Sequence, residues 1–214
     1  IHTQGQPINL KGWAMYQVVY FEISGKCNAV CQWCATGIQN KKKKKGRFIP
    51  VDEFIRAVDH LRTSGLAGQD TVYKLFSWGE PFLHPKLKEI LNFLNRENLK
   101  FSLSSNGSVP VLFNQAGSMA NMTEIMFSMP GFSQKSYDKI HGFNIDKITT
   151  NITAMMDNYR ACGFTGTAFL IFHIYQFNMD EIEKAVAFAQ ANQMVFSCGF
   201  AYINDWERYR EYLT

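Results

Sequence analysis

Strand-like and helix-like segments alternate six times along this 214-residue chain, and that rhythm limits its fold more than any single residue does. Gln17–Ile23, Val72–Ser77, Lys100–Ser105, Glu124–Met129, Thr167–Tyr175 and Met194–Tyr202 are short strand-like runs, several rich in the β-branched and aromatic residues that suit a pleated surface. Between them, apolar residues recur at helical spacing. Phe54, Ile55, Val58 and Leu61 share one face of a segment that starts near Asp52, and Gly65 stands where it should stop. Pro85 suits the first turn of a helix bearing Leu87, Ile90, Leu91 and Leu94. Ile148, Ile152, Met155 and Tyr159 line a third helix, and Asn178 is placed to cap a fourth that carries Ile182, Val186 and Ala189. Pro110–Met119 reads as a weaker helix, and Asn204–Leu213 as the start of a last one. Strands that alternate with helices build a parallel sheet with helices outside. Six such units, where a full barrel has eight, predict an α/β fold: a partial (β/α)6 TIM-like barrel with parallel strands and outer helices.

In such folds the reactive site lies at the carboxyl ends of the strands. The unusual polar and glycine-rich segments all fall there. Cys27, Cys31 and Cys34 form a C-x3-C-x2-C run after the first strand, and Ser77-Trp78-Gly79-Glu80-Pro81 follows the second. Ser104-Ser105-Asn106-Gly107 ends the third strand, and Ser128-Met129-Pro130-Gly131 ends the fourth. Three thiolates can hold three irons of a four-iron cluster and leave the fourth iron open. Structural zinc and electron-carrying clusters usually take four protein ligands. An iron–sulfur electron-transfer protein and a zinc-stabilised binding module are the two alternatives. Ser104 and Asn106 share a parity, so both can face the barrel interior. Glu22, Lys74 and Tyr202 can face it by the same rule, and His173 lies in an aromatic strand.

Composition narrows the partners. Hydrophobic residues at 46% against charged residues at 19% describe a folded globular chain. No apolar run is long enough to span a bilayer and no secretory signal pattern is present. The net charge of +4 comes mostly from the run Lys41–Lys45, a pattern that usually marks a solvated loop. With no basic stripe elsewhere, neither nucleic acid nor a membrane is an expected partner. Five cysteines is an odd number, and Cys162 and Cys198 stand alone in apolar surroundings. That usage suits a reducing cytoplasm better than a disulfide framework. The chain begins at Ile1, which suggests a piece of a longer protein.

The cysteine run resembles the signature of the radical S-adenosylmethionine (SAM) enzymes, with Trp33 as the aromatic residue before the last cysteine. The order of the other motifs agrees along nearly the whole chain. The resemblance implies a [4Fe-4S] cluster held by Cys27, Cys31 and Cys34, with SAM on the fourth iron and Trp33 near its adenine. Trp78-Gly79-Glu80-Pro81 is similar to the family's Gly-Gly-Glu-Pro turn, in which backbone and Glu meet the SAM amino group; here Trp78 replaces the first Gly. The resemblance also places Gly79, Glu80, Pro81, Ser104, Asn106 and Ser128 around SAM. The segment Ser128–Gly142, with Ser133, Tyr137 and Ile140, resembles members that carry a SPASM or twitch domain, and His141 stands where Arg is expected. Residues 1–214 then form a radical SAM core domain, with any auxiliary domain beyond Thr214. The implied partners are a small-molecule or peptide substrate (peptide, sugar or small metabolite) and an electron donor such as flavodoxin or ferredoxin.

Overall fold

The computed structural model describes residues 16–31, 34–41 and 46–201. Trp33, Tyr202, most of the lysine run and the helix expected over 204–213 lie outside the described residues. Six strands form one sheet in the order β1-β2-β3-β4-β5-β6. They are β1 (Tyr16–Tyr20), β2 (Ala67–Lys74), β3 (Lys100–Ser105), β4 (Met122–Met129), β5 (Thr167–Ile174) and β6 (Val195–Phe200). Every neighbouring pair is parallel, so each strand leaves its carboxyl end at the same rim. The sheet curls into the expected half-barrel with helices outside.

Alternation explains which face goes inward. Tyr73, Phe101, Leu103, Phe127, Leu170 and Phe172 point to the helix side and are essentially fully buried. Helices α2 (Val51–Thr63), α3 (Leu87–Arg96), α5 (Ile145–Ala161) and α6 (Ile182–Ala191) supply the other half of this core, through Phe54, Ile90, Leu91, Leu94, Ile152 and Met155 among others. Gly65, at φ 75°, follows α2 as a stop that residues with a side chain rarely provide. The opposite parity carries polar groups. Lys74 Nζ lies 3.1 Å from Glu124 Oε2 on the concave face, with the Tyr20 ring 5.9 Å from the ammonium.

Two short helices were not expected: α1 (Ala35–Lys41), directly after the last cysteine of the run, and α4 (Gln134–Ile140), which Ser133 caps by accepting from the Ser136 amide. Conversely, Pro110–Met119 is loop and turn. The Asn158 side chain accepts from the Phe113 amide at 2.8 Å and donates to its carbonyl at 2.9 Å. Those backbone groups therefore bond to α5 and take no part in a helix of their own. Asn178 is not a side-chain cap either. It accepts from the Tyr175 amide and donates to the Pro130 and His173 carbonyls, which ties the ends of β4 and β5 together.

Phe127→Ala should test the burial of the outer face. Removing a fully buried phenyl ring there is expected to cost about 3–5 kcal/mol of unfolding free energy, read from urea denaturation. The same truncation of half-buried Met126, on the opposite face, should cost clearly less.

Candidate active site

The cysteine loop is shaped by its own backbone. Asn40 on α1 reaches back and donates to the carbonyls of Cys27 at 2.6 Å and Ala29 at 2.8 Å. The Ala29 amide points at Cys27 Sγ from 3.4 Å. Ser24 pairs with Phe48 in an antiparallel bridge and its hydroxyl donates to the Lys26 carbonyl, which closes the base of the loop. Cys27, Cys31 and Cys34 are all half-buried, and Cys31 packs against Ile140 and Tyr175 from the far side of the rim. Among the described residues, no three His, Cys, Asp or Glu side chains converge on one point as a single metal ion would require. A four-iron cluster makes a different demand, because each cysteine binds its own iron.

The turn after β2 meets this loop at contact distance. A Cβ on Gly79 would sit 1.7 Å from the Ser24 carbonyl oxygen, so no side chain fits there. Glu22 Oε1 accepts from the amides of both Trp78, at 2.8 Å, and Gly79, at 2.7 Å. The Glu80 amide donates to the Lys26 carbonyl at 2.7 Å. Cys34 Sγ lies 3.9 Å from the Trp78 carbonyl oxygen. Pro81 is buried and opens a short 3-10 turn, Pro81–Leu83. His84 closes that turn, with Nε2 at 2.9 Å from the Ile49 carbonyl and Nδ1 accepting from the Lys86 amide.

Glu80 is only 3% exposed, and both its oxygens are taken by the chain itself. Oε1 accepts from the Phe82 amide at 3.0 Å and Oε2 from the Asn106 amide at 2.7 Å. Asn106 then carries the connection onward. Its Nδ2 is 3.8 Å from Cys27 Sγ and 3.1 Å from Asn28 Oδ1, while Asn28 donates to the Ser108 hydroxyl at 2.8 Å. One hydrogen-bonded network thus runs from the β2 turn through the end of β3 to a cysteine sulfur. Burial raises the Glu80 carboxyl to about 7, against the lowering effect of the Asn106 and Phe82 amides and the Ser105 hydroxyl. Burial likewise raises the Cys27 thiol to about 11; the Ala29 amide and Asn106 oppose this, while Glu80 and Cys34 add to it.

A second network holds the β4 rim. Glu181 accepts from the Phe132 amide, from the Ser133 hydroxyl at 2.5 Å and from the Ser136 hydroxyl at 2.7 Å. Burial lowers His141 to about 3, with a smaller push from His173, and its Nδ1 has no hydrogen-bond partner. His173 is lowered by burial as well.

A sequence model of the radical SAM superfamily matches residues 21–189, most of the chain. The chain belongs to the radical SAM superfamily. Enzymes of this family use a [4Fe-4S] cluster and SAM. Two curated relatives share sequence with this radical SAM chain. One is an S-adenosylmethionine-dependent nucleotide dehydratase of Selenomonas ruminantium, 30% identical over 91 residues, covering 42% of this chain and 30% of the relative. The other is a "Probable GTP 3',8-cyclase" of Methanococcus maripaludis, 28% identical over 133 residues, covering 61% and 42%. Among solved structures, Streptococcus suis SuiB bound to S-adenosylmethionine superimposes with a TM-score of 0.66 at 13% identity, covering 93% of this chain and 47% of SuiB. That likeness is one of fold. The radical SAM chain therefore spans less than half the length of each of these proteins. Among its described residues, no helix is long and apolar enough to cross a membrane.

Of the residues singled out by sequence, Cys27, Gly79, Glu80 and Asn106 meet in or beside the first network. Ser104 and Ser128 sit half-buried, and their alternation with Leu103, Ser105, Phe127 and Met129 puts them on the concave side. Sequence reading missed Asn28, Asn40 and Glu181. Each acts through backbone or loop contacts that leave no periodic trace. Glu80→Ala would leave two buried amides without acceptors, at a cost on the order of 2–4 kcal/mol in stability. Thermal or urea denaturation of the cluster-free protein is the measurement, and unchanged stability would mean the network is idle.

Proposed function

We propose that Cys27, Cys31 and Cys34 hold three irons of a [4Fe-4S] cluster and that SAM binds the open iron beside the Trp78–Pro81 turn. One observation carries this reading: Cys27, Asn106 and Glu80 share a hydrogen-bonded network at the rim where three parallel strands end. Held by these three cysteines and reduced by the electron donor, the cluster would supply one electron to split SAM into methionine and a 5′-deoxyadenosyl radical, which would take a hydrogen atom from the substrate. The protein's work is to bind, orient and exclude water. Asn40 and the Ala29 amide set the sulfur positions, and soft thiolate ligands suit iron–sulfur chemistry. Gly79 allows the close approach of turn and loop. Ser104, Asn106, Ser128, Pro81 and Trp33 complete the cofactor pocket in this reading, with Glu80 acting through the turn it fastens.

The substrate is a peptide, a sugar or a small metabolite held over the concave face, and a flavodoxin or ferredoxin is the electron donor. Both curated relatives are named for nucleotide chemistry, which makes a nucleotide the first small metabolite to test. A reducing compartment such as the cytoplasm suits the exposed Cys198 and the cysteine loop.

The test is anaerobic reconstitution with iron and sulfide, reduction, and assay for 5′-deoxyadenosine. Wild-type protein should produce it, and addition of GTP or another nucleoside triphosphate should raise the yield if the nucleotide reading holds. Cys31→Ala should lose both the cluster absorbance and the product. Colourless, zinc-containing wild-type protein, or a Cys31→Ala variant with full turnover, would defeat the assignment.

A further inference from the structure

Glu22 stands on the concave parity of β1, beyond exposed Val18 and Tyr20, while its neighbours Phe21 and Ile23 pack into the core. Its carboxylate is more exposed than that of Glu80, yet one of its oxygens holds two consecutive amides of the turn after β2. The consequence is geometric. The Gly79 N–H and the Trp78 carbonyl belong to one peptide plane, and no cis peptide occurs among the described residues. In a trans peptide the two groups point in opposite directions. An amide fixed toward Glu22 therefore turns the Trp78 carbonyl the other way, and that oxygen lies 3.9 Å from Cys34 Sγ. By holding these two amides Glu22 decides which face of the turn is presented to Cys34.

We propose that Glu22 is a positioning residue for the amino-acid end of SAM: by clasping both amides it aims the Trp78 carbonyl at the cluster mouth, as an acceptor for an amine N–H. This rests on the SAM site proposed above. The role is one of reach more than of charge, because a carboxamide oxygen can also accept two amide hydrogens. A carboxylate one methylene shorter keeps the charge and loses the reach. The sequence motif directs attention to Glu80, which is spent on Phe82 and Asn106; the orienting carboxylate comes from a different strand.

Three variants separate position from charge: Glu22→Gln, Glu22→Asp and Glu22→Ala. The first arm uses cluster-free protein and amide hydrogen exchange over residues 76–80. Exchange there should quicken in the Asp and Ala variants and stay near wild type in the Gln variant. The second arm uses reconstituted protein with iron content measured, and reads SAM affinity by equilibrium dialysis. At iron content close to wild type, Asp and Ala should bind SAM at least about tenfold more weakly, and Gln within about threefold of wild type. Circular dichroism checks folding; if the Ala variant does not fold, the Asp and Gln pair still decides. SAM affinity in the Asp variant equal to wild type, or a Gln variant as weak as Asp, would overturn the proposal. Wild-type protein that fails to bind SAM would instead sink the assignment of the site, while the exchange arm would still show whether the clamp exists.

Discussion

A carboxylate buried to 97% and bonded to its own backbone holds this rim together. Glu80 leaves β2, accepts from Phe82 in its own turn, and accepts again from Asn106 at the end of β3. Two strand ends that would otherwise only lie side by side are thereby locked, and Asn106 brings Cys27 into the same network. Burial makes the charge expensive, which is why the carboxyl titrates high. A site chosen for stability alone would gain little from such a group, since desolvation offsets much of what its hydrogen bonds return. What the arrangement gives is geometry: two acceptors at a fixed spacing, facing two amides that the fold has already brought together.

The parallel sheet was legible because it depends on patterns that repeat. Tyr73, Phe101, Phe127 and Phe172 alternate with polar or half-buried neighbours, and segments at helical spacing follow β2, β4 and β5. The cysteine run and the Gly-Glu-Pro turn were legible as motifs, and strand parity pointed Glu22 inward. The rest depends on single side chains that bond to distant backbone. Asn158 removes Phe113 from any helix, so the β3–β4 crossover has none among the described residues. Asn178 has the residue type of a cap and the position of one, yet its carbonyl partners lie on the ends of two strands. Propensity favours Asn at both kinds of place, and only the tertiary contact distinguishes them.

The two halves of the rim are built by different means. Around β2 and β3 the fastenings are a glutamate, an asparagine and the cysteine loop. Around β4 and β5 Glu181 gathers the Phe132 amide and two serine hydroxyls, and Gly131 is pressed so close that a Cβ would lie 2.3 Å from Ser136 Cβ. Ile140 and Tyr175 extend from this second half to pack on Cys31. The middle cysteine is therefore positioned from the opposite side of the mouth to Cys27. A displacement of either half would move one cysteine relative to the other, and each half is anchored by a buried glutamate, Glu80 on one side and Glu181 on the other.

The concave face follows from the same alternation with the opposite demand. Lys74 and Glu124 pair across the intervening β3, where Ser102 occupies the register between them with a fully buried hydroxyl. Both charged side chains are partly exposed, so the pair contributes little to stability. Its effect is on what the bowl will accept. Ser104 lies one alternation above this row, roughly 6–7 Å nearer the rim, so the floor is polar just below the proposed cofactor pocket. At that depth a cation and an anion lie side by side. Parting the two would leave each charge without its partner, so plain hydrocarbon is a poor neighbour at that depth and polar contact is not.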